Sequence, residues 1–228
     1  MAEGPTVRFP IVGIGASAGG IEAFKGFFEN MPPDSGMAFV VILHLPADRK
    51  SLLPEIVGRW TRMPIVEAND GCAVEPNTVY LPPSGIVVTL RDGRLYPHRA
   101  APDEPRELTP IDMFFNSLAT EMKEDAIGVV LSGSGSDGTF GLKAIKTCGG
   151  LTLAQGADGS APLHAQMPAS AIAAGTVDIV APRRGDPGKH RQGDGDPPGC
   201  GGIRQPVARA YRRNAAGDLR DRAAATRP

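Results

Sequence analysis

The sequence predicts an α/β fold: one three-layer, doubly wound domain with a mainly parallel sheet and one β-hairpin. Two observations support this fold class. Short and almost continuous apolar runs, typical of strands buried on both faces, alternate with amphipathic segments of helical period. In addition, 228 residues are enough for a single domain with a substantial core. Repeated strand–helix units form a parallel sheet with helices on both faces, because each crossover connection lies on one face of the sheet.

The first part of the chain begins with a strand and a helix. The apolar run at residues 9–14 predicts the strand. The helix ends before Pro32-Pro33, and its apolar face consists of Ile21, Phe24, Phe28 and Met31. The apolar run at residues 38–43 then predicts a buried parallel strand, and residues 51–61 predict a second helix.

The middle of the chain contains shorter predicted strands. Residues 65–66 and 79–81 predict two short strands. Residues 86–90 and 94–96 predict the β-hairpin, because the Asp92-Gly93 dipeptide between them favours a two-residue turn.

The second half returns to the strand–helix alternation. In the helix start Thr109-Pro110-Ile111-Asp112, we expect Thr109 to cap the helix and Asp112 to complete a variant of the capping box. The remaining predicted elements are a strand at residues 126–131, a helix ending near Cys148, a strand at 151–154, a helix at 168–174 and a strand at 176–180.

The distribution of charge divides the chain into domains. Residues 182–228 contain 11 Lys or Arg and 5 Asp or Glu, whereas residues 1–181 contain 13 and 20. The basic tail has few large aliphatic residues, so it cannot offset its ordering entropy and is predicted to be disordered. We therefore predict an N-terminal extension at residues 1–9, one folded α/β domain at 10–181 and a disordered Gly/Pro/Arg-rich tail at 182–228. The acidic domain argues against a nucleic-acid partner.

Several classes of protein are excluded by composition. No apolar run reaches the length of a membrane span, and the N-terminus lacks a secretory signal, so we expect no membrane insertion and a cytoplasmic location. The three cysteines are scattered and odd in number. They argue against a disulfide framework or a zinc site, and no metal or organic cofactor is expected.

Three polar residues follow three different predicted strands. Ser17 lies in a G-x-S-x-G turn, His44 follows the strand at residues 38–43, and Asp137 lies in a glycine-rich loop. Because the carboxyl ends of parallel strands share one edge of the sheet, the fold can bring these residues together. They have the chemistry of a nucleophile, its base and the acid that orients the base. Their chain order, Ser–His–Asp, differs from the order in α/β-hydrolases.

Each of these residues also has a structural interpretation. A serine in a glycine turn can be structural or contact a phosphate, a histidine at a strand end can belong to the core, and an Asp-Gly pair is turn chemistry. Gly13, Gly15 and Gly19 further resemble a dinucleotide fingerprint, although His44 stands where a ribose-binding acid would be expected. The coincidence of all three residues at strand ends favours the catalytic triad.

The segments around these residues resemble the signature segments of the chemotaxis protein-glutamate methylesterase family, the CheB-type catalytic domain. They are G-A-S-A-G-G around Ser17, L-H-L-P around His44 and S-G-S-G-S-D-G-T around Asp137. The start of the helix at Gln166-Met167-Pro168 is similar as well, and the similarity runs over about residues 10–181. The resemblance implies that the triad demethylates glutamate methyl esters on chemoreceptors in signal adaptation, with receptor-glutamine deamidation as a side activity.

The resemblance also implies an oxyanion hole and a set of partners. The oxyanion donors would be the backbone amides of Ala18, where the family often has threonine, and Ser134, where it often has methionine. The implied partners are the cytoplasmic helices of methyl-accepting chemoreceptors, with a methyltransferase or a separate regulatory receiver protein. We expect a chain without the receiver domain that is common in the family, since its start is similar to that of methylesterase–methyltransferase fusions. Two alternatives stay open: a catalytically silent receptor-docking or signalling module, and a dinucleotide-binding α/β protein.

Overall fold

The computed structural model describes residues 9–29, 31–43, 52–98, 109–156 and 162–181. The helices are α1 (Gly20–Phe28), α2 (Leu53–Val57), α3 (Pro110–Met122), α4 (Thr139–Thr147) and α5 (Gln166–Ala173). The strands are β1 (Ile11–Ala16), β2 (Ala38–Leu43), β3 (Ile65–Glu67), β4 (Cys72–Ala73), β5 (Val79–Leu81), β6 (Val87–Arg91), β7 (Arg94–His98), β8 (Ala126–Val130), β9 (Leu151–Gln155) and β10 (Ile179–Ala181). Residues 1–8 of the predicted extension, His44 and the predicted tail lie outside the described residues.

The main sheet has seven strands in the order β10-β9-β8-β1-β2-β5-β3, and its registered strand pairs are parallel. This confirms the predicted doubly wound α/β fold. The chain moves from β1 toward one edge of the sheet through β2, and later returns to the other side of β1 at β8. Strand order therefore reverses between β1 and β8, which is where open α/β sheets bind ligands at the carboxyl ends of their strands.

Helices cover both faces of this sheet. Helices α1 and α2 bury their apolar side chains on one face, which includes Phe24, Phe28 and Val57. Helices α3, α4 and α5 cover the other face through residues such as Phe115, Ile145 and Met167. The two apolar clusters account for the near-continuous apolar character of the central strands, because both faces of each strand are buried.

The predicted hairpin is present and belongs to a second, antiparallel sheet in the order β4-β7-β6. Asp92 and Gly93 form its turn with positive φ values of 50° and 68°, as a two-residue hairpin turn requires. Strand β4 was not predicted, since two residues are too short to show an alternation. Ser117 of α3 accepts a hydrogen bond from the Leu90 amide at 3.0 Å, so the small sheet is tied to the helix layer.

Helix α3 approaches β1 closely because Gly15 has no side chain. A Cβ atom at Gly15 would overlap the side chain of Ile111, including its Cδ1 atom at 2.9 Å. This contact brings the N-terminal turn of α3 to the carboxyl end of β1, where the candidate nucleophile follows. The packing gives Gly15 a structural role inside the strand, whereas the second glycine of a dinucleotide fingerprint lets the pyrophosphate approach the backbone.

Some predicted boundaries were wrong. Helix α1 ends at Phe28 and α2 covers only Leu53–Val57, so both are shorter than predicted. The last strand begins at Ile179 rather than at residue 176. The reason is that the Thr176 amide and hydroxyl both donate to the carbonyl of Ala171, at 3.3 and 2.9 Å. Thr176 therefore ends α5 and does not extend the sheet.

Candidate active site

Ser17 lies in the turn between β1 and α1. Strand β1 ends at Ala16, and α1 begins at Gly20. The Ser17 carbonyl accepts a hydrogen bond from the Gly20 amide at 2.9 Å, and Gly19 adopts a φ of +72°. A Cβ atom at Gly19 would lie 2.8 Å from Ser132 Oγ, so both backbone angle and space require glycine there. The sequence thus forms the sharp strand–turn–helix connection predicted from G-x-S-x-G, with Ser17 half-buried at the sheet edge.

Ser132, the residue that begins the loop after β8, holds this turn in place. The Ser17 amide donates to the Ser132 carbonyl at 3.0 Å, and the Ser132 hydroxyl donates to the Ala18 carbonyl at 2.9 Å. The Ser132 amide in turn donates to Gln155 Oε1 at 2.9 Å, at the end of β9. The His164 amide donates to the Ser132 hydroxyl at 3.1 Å. Ser132, whose side chain is buried, therefore connects three segments at one edge of the sheet.

Asp137 lies in the same loop, just before α4. Its two carboxylate oxygens accept hydrogen bonds from the backbone amides of Ile111 at 3.2 Å and Asp112 at 3.0 Å. Burial raises the pKa of Asp137 above its ordinary value, and the nearby Asp112 carboxylate raises it further, against the lowering effect of the two amides. The carboxylate is therefore fixed by the N-terminus of α3, a contact between residues 25 positions apart in sequence.

The capping prediction for α3 was only partly right. Thr109 precedes the helix in an extended conformation, but its side chain makes no capping bond to the helix backbone. Its hydroxyl instead donates to Asp112 Oδ2 at 3.0 Å. Pro110 has no amide hydrogen, so the Ile111 and Asp112 amides are the first-turn donors that need partners, and Asp137 supplies both.

The backbone around Ser134 is held on both sides. The Gly133 amide donates to the His164 carbonyl at 2.9 Å, and the Gly135 amide donates to Gln166 Oε1 at 3.2 Å. The amide of Ser134, between them, donates to no acceptor in the described part of the chain, and the same is true of the Ala18 amide. Two backbone donors, one in each of the adjoining loops, are thus available to a bound group. The hydrogen bond from the Gly135 amide to Gln166 was not predicted from the sequence.

Two histidines belong to segments that adjoin this site, and the structure describes one of them. Strand β2 ends at Leu43, which is in register with Ala16 of β1, so Ser17 and His44 are the next residues along two neighbouring strands. His44 itself lies outside the described residues. His164 is exposed, and its Cδ2 atom lies 3.3 Å from the position of a Cβ atom at Gly19.

Metal-ligating clusters and membrane-spanning helices are two other features that bear on function. Across the described ranges, no three His, Cys, Asp or Glu side chains are grouped so that they could hold a metal ion. None of the described helices is both long enough and apolar enough to cross a bilayer.

Comparisons with known proteins agree with the sequence resemblance. The family model described as CheB methylesterase matches residues 12–185. A protein-glutamate methylesterase/protein-glutamine glutaminase 2 of Xanthomonas oryzae pv. oryzae is 37% identical over 175 residues, which cover 75% of this chain and 48% of that relative. A protein-glutamate methylesterase/protein-glutamine glutaminase 1 of Xanthomonas campestris pv. campestris is 36% identical over the same shares of the two chains. The chain thus spans about half the length of these curated relatives.

A solved structure matches as well. The Thermotoga maritima CheB methylesterase catalytic domain superposes with a TM-score of 0.69 and 27% sequence identity, over 77% of this chain and 94% of that domain. The similarity therefore covers nearly the whole of a solved catalytic domain, and it agrees with the fold described above.

Proposed function

The chain belongs to the CheB methylesterase family, and on that premise we propose that it is a serine esterase that removes methyl groups from glutamate γ-methyl esters of chemoreceptors. The observation that carries the proposal is the hydrogen bond from the Ser17 amide to Ser132, at 3.0 Å. This bond joins the turn that bears the candidate nucleophile to the loop that bears Asp137, at the carboxyl ends of β1 and β8. A triad needs its base hydrogen-bonded to the nucleophile on one side and to the acid on the other, so the two loops that bear Ser17 and Asp137 must lie close together.

In the proposed reaction, Ser17 Oγ attacks the carbonyl carbon of the methyl ester. His44 accepts the serine proton and then donates it to the methoxy group, so methanol leaves and the glutamyl group stays bound to Ser17 as an ester. Asp137 orients His44 and stabilises its charged form. His44 next removes a proton from water, the resulting hydroxide attacks the acyl-enzyme, and Ser17 regains its proton as the glutamate carboxyl is released.

The proposed oxyanion donors are the backbone amides of Ala18 and Ser134. Both belong to segments held by neighbouring hydrogen bonds, which supports preorganisation of the two donors. Loss of one such donor typically raises a barrier by about 3 kcal/mol. Neither amide depends on its own side chain, so alanine and serine at these positions are compatible with this role.

Two further aspects of the proposal follow from the same chemistry. The acyl-enzyme formed from a glutamine amide, with ammonia as the leaving group, is identical to that formed from the methyl ester, which supports receptor-glutamine deamidation as a side activity. We place the reaction in the cytoplasm, on the cytoplasmic helices of methyl-accepting chemoreceptors, where demethylation would act in adaptation. A methyltransferase or a separate receiver protein would then be a functional partner.

The decisive experiment is methanol release from methylated receptor cytoplasmic fragments. The wild-type protein should release methanol, and Ser17→Ala should release none while unfolding at the same temperature. Ser136→Ala is the matched control, because Ser136 is an exposed serine of the neighbouring loop, and it should retain activity. Full methanol release by Ser17→Ala would refute the proposed nucleophile.

The two alternatives make different predictions. A silent docking module would not react with a fluorophosphonate serine probe, whereas an active triad should be labelled at Ser17 and not in His44→Ala. A dinucleotide-binding protein would melt at a higher temperature in the presence of the dinucleotide. The packing of Gly15 against Ile111 already argues against that second alternative.

A further inference from the structure

The N-termini of α3 and α4 are capped by each other's acidic residues. Asp137, which precedes α4, accepts the free amides of the first turn of α3. In the opposite direction, Asp112 of α3 accepts a hydrogen bond from the Gly141 amide of α4 through Oδ1, at 2.6 Å. The two aspartates thus exchange caps between the two helices.

The exchange is required because α4 cannot cap itself. Its N-cap residue is Gly138, which has a φ of 87° and no side chain to offer an acceptor. Gly141 occupies the third position of this helix, where an N-cap side chain would normally bind the amide. Asp112 takes over that function from α3, and the Thr109 hydroxyl holds its other oxygen at 3.0 Å.

The contact between the helices is close and dry at this point. Asp112 is only 7% exposed, and Gly141 is buried. A Cβ atom at Gly141 would overlap Phe115 and lie 3.1 Å from the Cα atom of Asp112, so the two helix backbones are in direct contact. A buried amide that lost its acceptor here would cost free energy unless α4 moved.

Such a movement would reach Asp137, which lies only four residues before Gly141. We propose that Asp112 is a positioning residue for the hydrolysis reaction: its carboxylate fixes the start of α4 against α3 and thereby sets the position of Asp137. The role rests on the proposed esterase function. In it, Asp112 contacts no reacting atom and acts through Asp137 alone. Its backbone amide fixes Asp137 directly, and its side chain fixes the helix that follows Asp137.

The test compares Asp112→Ala and Asp112→Asn with a matched control, Asp178→Ala. Asp178 also accepts a backbone amide and a threonine hydroxyl, both from Thr152, at 3.1 and 2.7 Å. Asp178 precedes β10, at the amino-terminal ends of the strands, whereas Ser17 follows the carboxyl end of β1. Asp178 also pairs with Lys146 in the last turn of α4, so it reports the effect of losing a similar network at the other end of that helix. Asp112→Asn keeps an oxygen that can accept from Gly141, whereas Asp112→Ala does not.

We expect Asp112→Ala to lower kcat by about 10- to 100-fold with KM nearly unchanged, because a displacement of about 1 Å has effects of that size. Asp112→Asn should recover most of kcat, and Asp178→Ala should keep the wild-type kcat while losing stability. If Asp112→Ala does not fold, Asp112→Glu replaces it, since its longer side chain keeps the charge but displaces the acceptor. A wild-type kcat in the alanine variant, or in Asp112→Glu where that variant replaces it, would overturn the proposal.

A second readout separates this proposal from the esterase function. Amide hydrogen exchange of residues 131–142 should become faster in Asp112→Ala and not in Asp178→Ala, whatever reaction the protein catalyses. Faster exchange together with an inactive wild-type protein would mean that the function is wrong but the positioning contact is real. Unchanged exchange would overturn the positioning role, even in an active enzyme.

Discussion

Gln155 accepts a hydrogen bond from the backbone amide of Ser132 at 2.9 Å, where β8 gives way to the loop that carries Asp137. The bond is buried, and its acceptor comes from the end of the neighbouring strand, β9. The Ser132 carbonyl also accepts a hydrogen bond from the Ser17 amide. Gln155 therefore helps to hold both the turn that bears Ser17 and the loop that bears Asp137. The Gln155 side chain thus satisfies a loop amide that is buried and that water would hydrogen-bond if the loop were exposed.

Replacing Gln155 with methionine should destabilise the protein by about 1–3 kcal/mol, because the buried Ser132 amide would lose its acceptor at nearly constant side-chain volume. Urea denaturation would measure the change. Gln166→Met is the control: Gln166 also accepts a loop amide, but the contact is exposed, so its loss should stay within about 0.5 kcal/mol. Equal stability of Gln155→Met and wild type would show that the Ser132 amide finds another partner.

Asp137→Asn should nearly abolish activity. In serine hydrolases whose triad acid becomes an amide, kcat falls by about four orders of magnitude because the histidine is held in the wrong tautomer. The esterase assay with a small aryl ester would show this loss without any receptor. Activity within tenfold of wild type would mean that Asp137 only caps α3 and has no part in the chemistry.

The stability of the protein should also depend on pH through Asp137 and Asp112. Burial raises the pKa of both carboxyl groups above the ordinary value of 3.8. The native state therefore keeps protons that the unfolded chain has already released, and the free energy of unfolding should fall as pH rises from 3.8 through the raised pKa values. Asp137→Asn should show a smaller fall over that range in urea titrations. A fall as steep as in wild type would contradict this.

Below pH 3.8 the free energy of unfolding should change with pH in the opposite direction, and the group responsible is Asp178. Burial alone would raise the pKa of Asp178, but hydrogen bonds from Lys146 and Thr152 outweigh it and lower the pKa. Its contribution to stability is therefore complete above pH 3.8 and is lost as pH falls below that value. Measurements between pH 4 and neutrality therefore exclude the contribution of Asp178 and retain those of Asp137 and Asp112.

Gly15→Ala should destabilise the fold by about 1–3 kcal/mol, because the added methyl group overlaps Ile111 in a filled core. Ile111→Val in the same chain should restore part of the loss, since it removes one methyl group from the opposing side chain. Thermal unfolding of the single and double variants measures this coupling. If the stability changes of the two single variants simply add in the double variant, the two residues are not in contact, and the proposed packing role of Gly15 is wrong.

The sequence predicted most of the sheet because its strands are buried on both faces, so each appears as a compact apolar run. The site could be predicted only in part, and Asp112 shows why. Sequence spacing led us to expect it to cap its own helix, since periodicity reports only neighbours along the chain. The structure uses it to cap α4, 29 residues away, a pairing that exists only after α3 and α4 have packed. The Gln155 contact was missed for the same reason, whereas strand β4 has only two residues and was too short to show an alternation.

Two large apolar side chains are exposed close to the candidate site. Leu163 is 64% exposed and its Cβ atom lies 2.9 Å from the position of a Cβ atom at Gly19, while Phe140 is 72% exposed in the first turn of α4. They belong to the segments that adjoin the Ser17 turn and the Asp137 loop. Their position beside the site, rather than the size of any apolar patch, is what suggests contact with a macromolecular substrate.

We therefore expect Leu163→Ala and Phe140→Ala to raise KM for a methylated receptor fragment several-fold, at unchanged kcat. With a small aryl ester, which has no receptor helix to contact them, we expect both variants to match wild type, and neither should lose stability because both side chains are exposed. Val180→Ala is the control, since Val180 is 47% exposed on the edge strand β10, three strands away from β1. A docking residue should affect only the reaction of the receptor fragment, whereas a distorted active site should affect both reactions. An equal loss of activity with both substrates would therefore mean that the variants disturb the triad and would contradict the docking role.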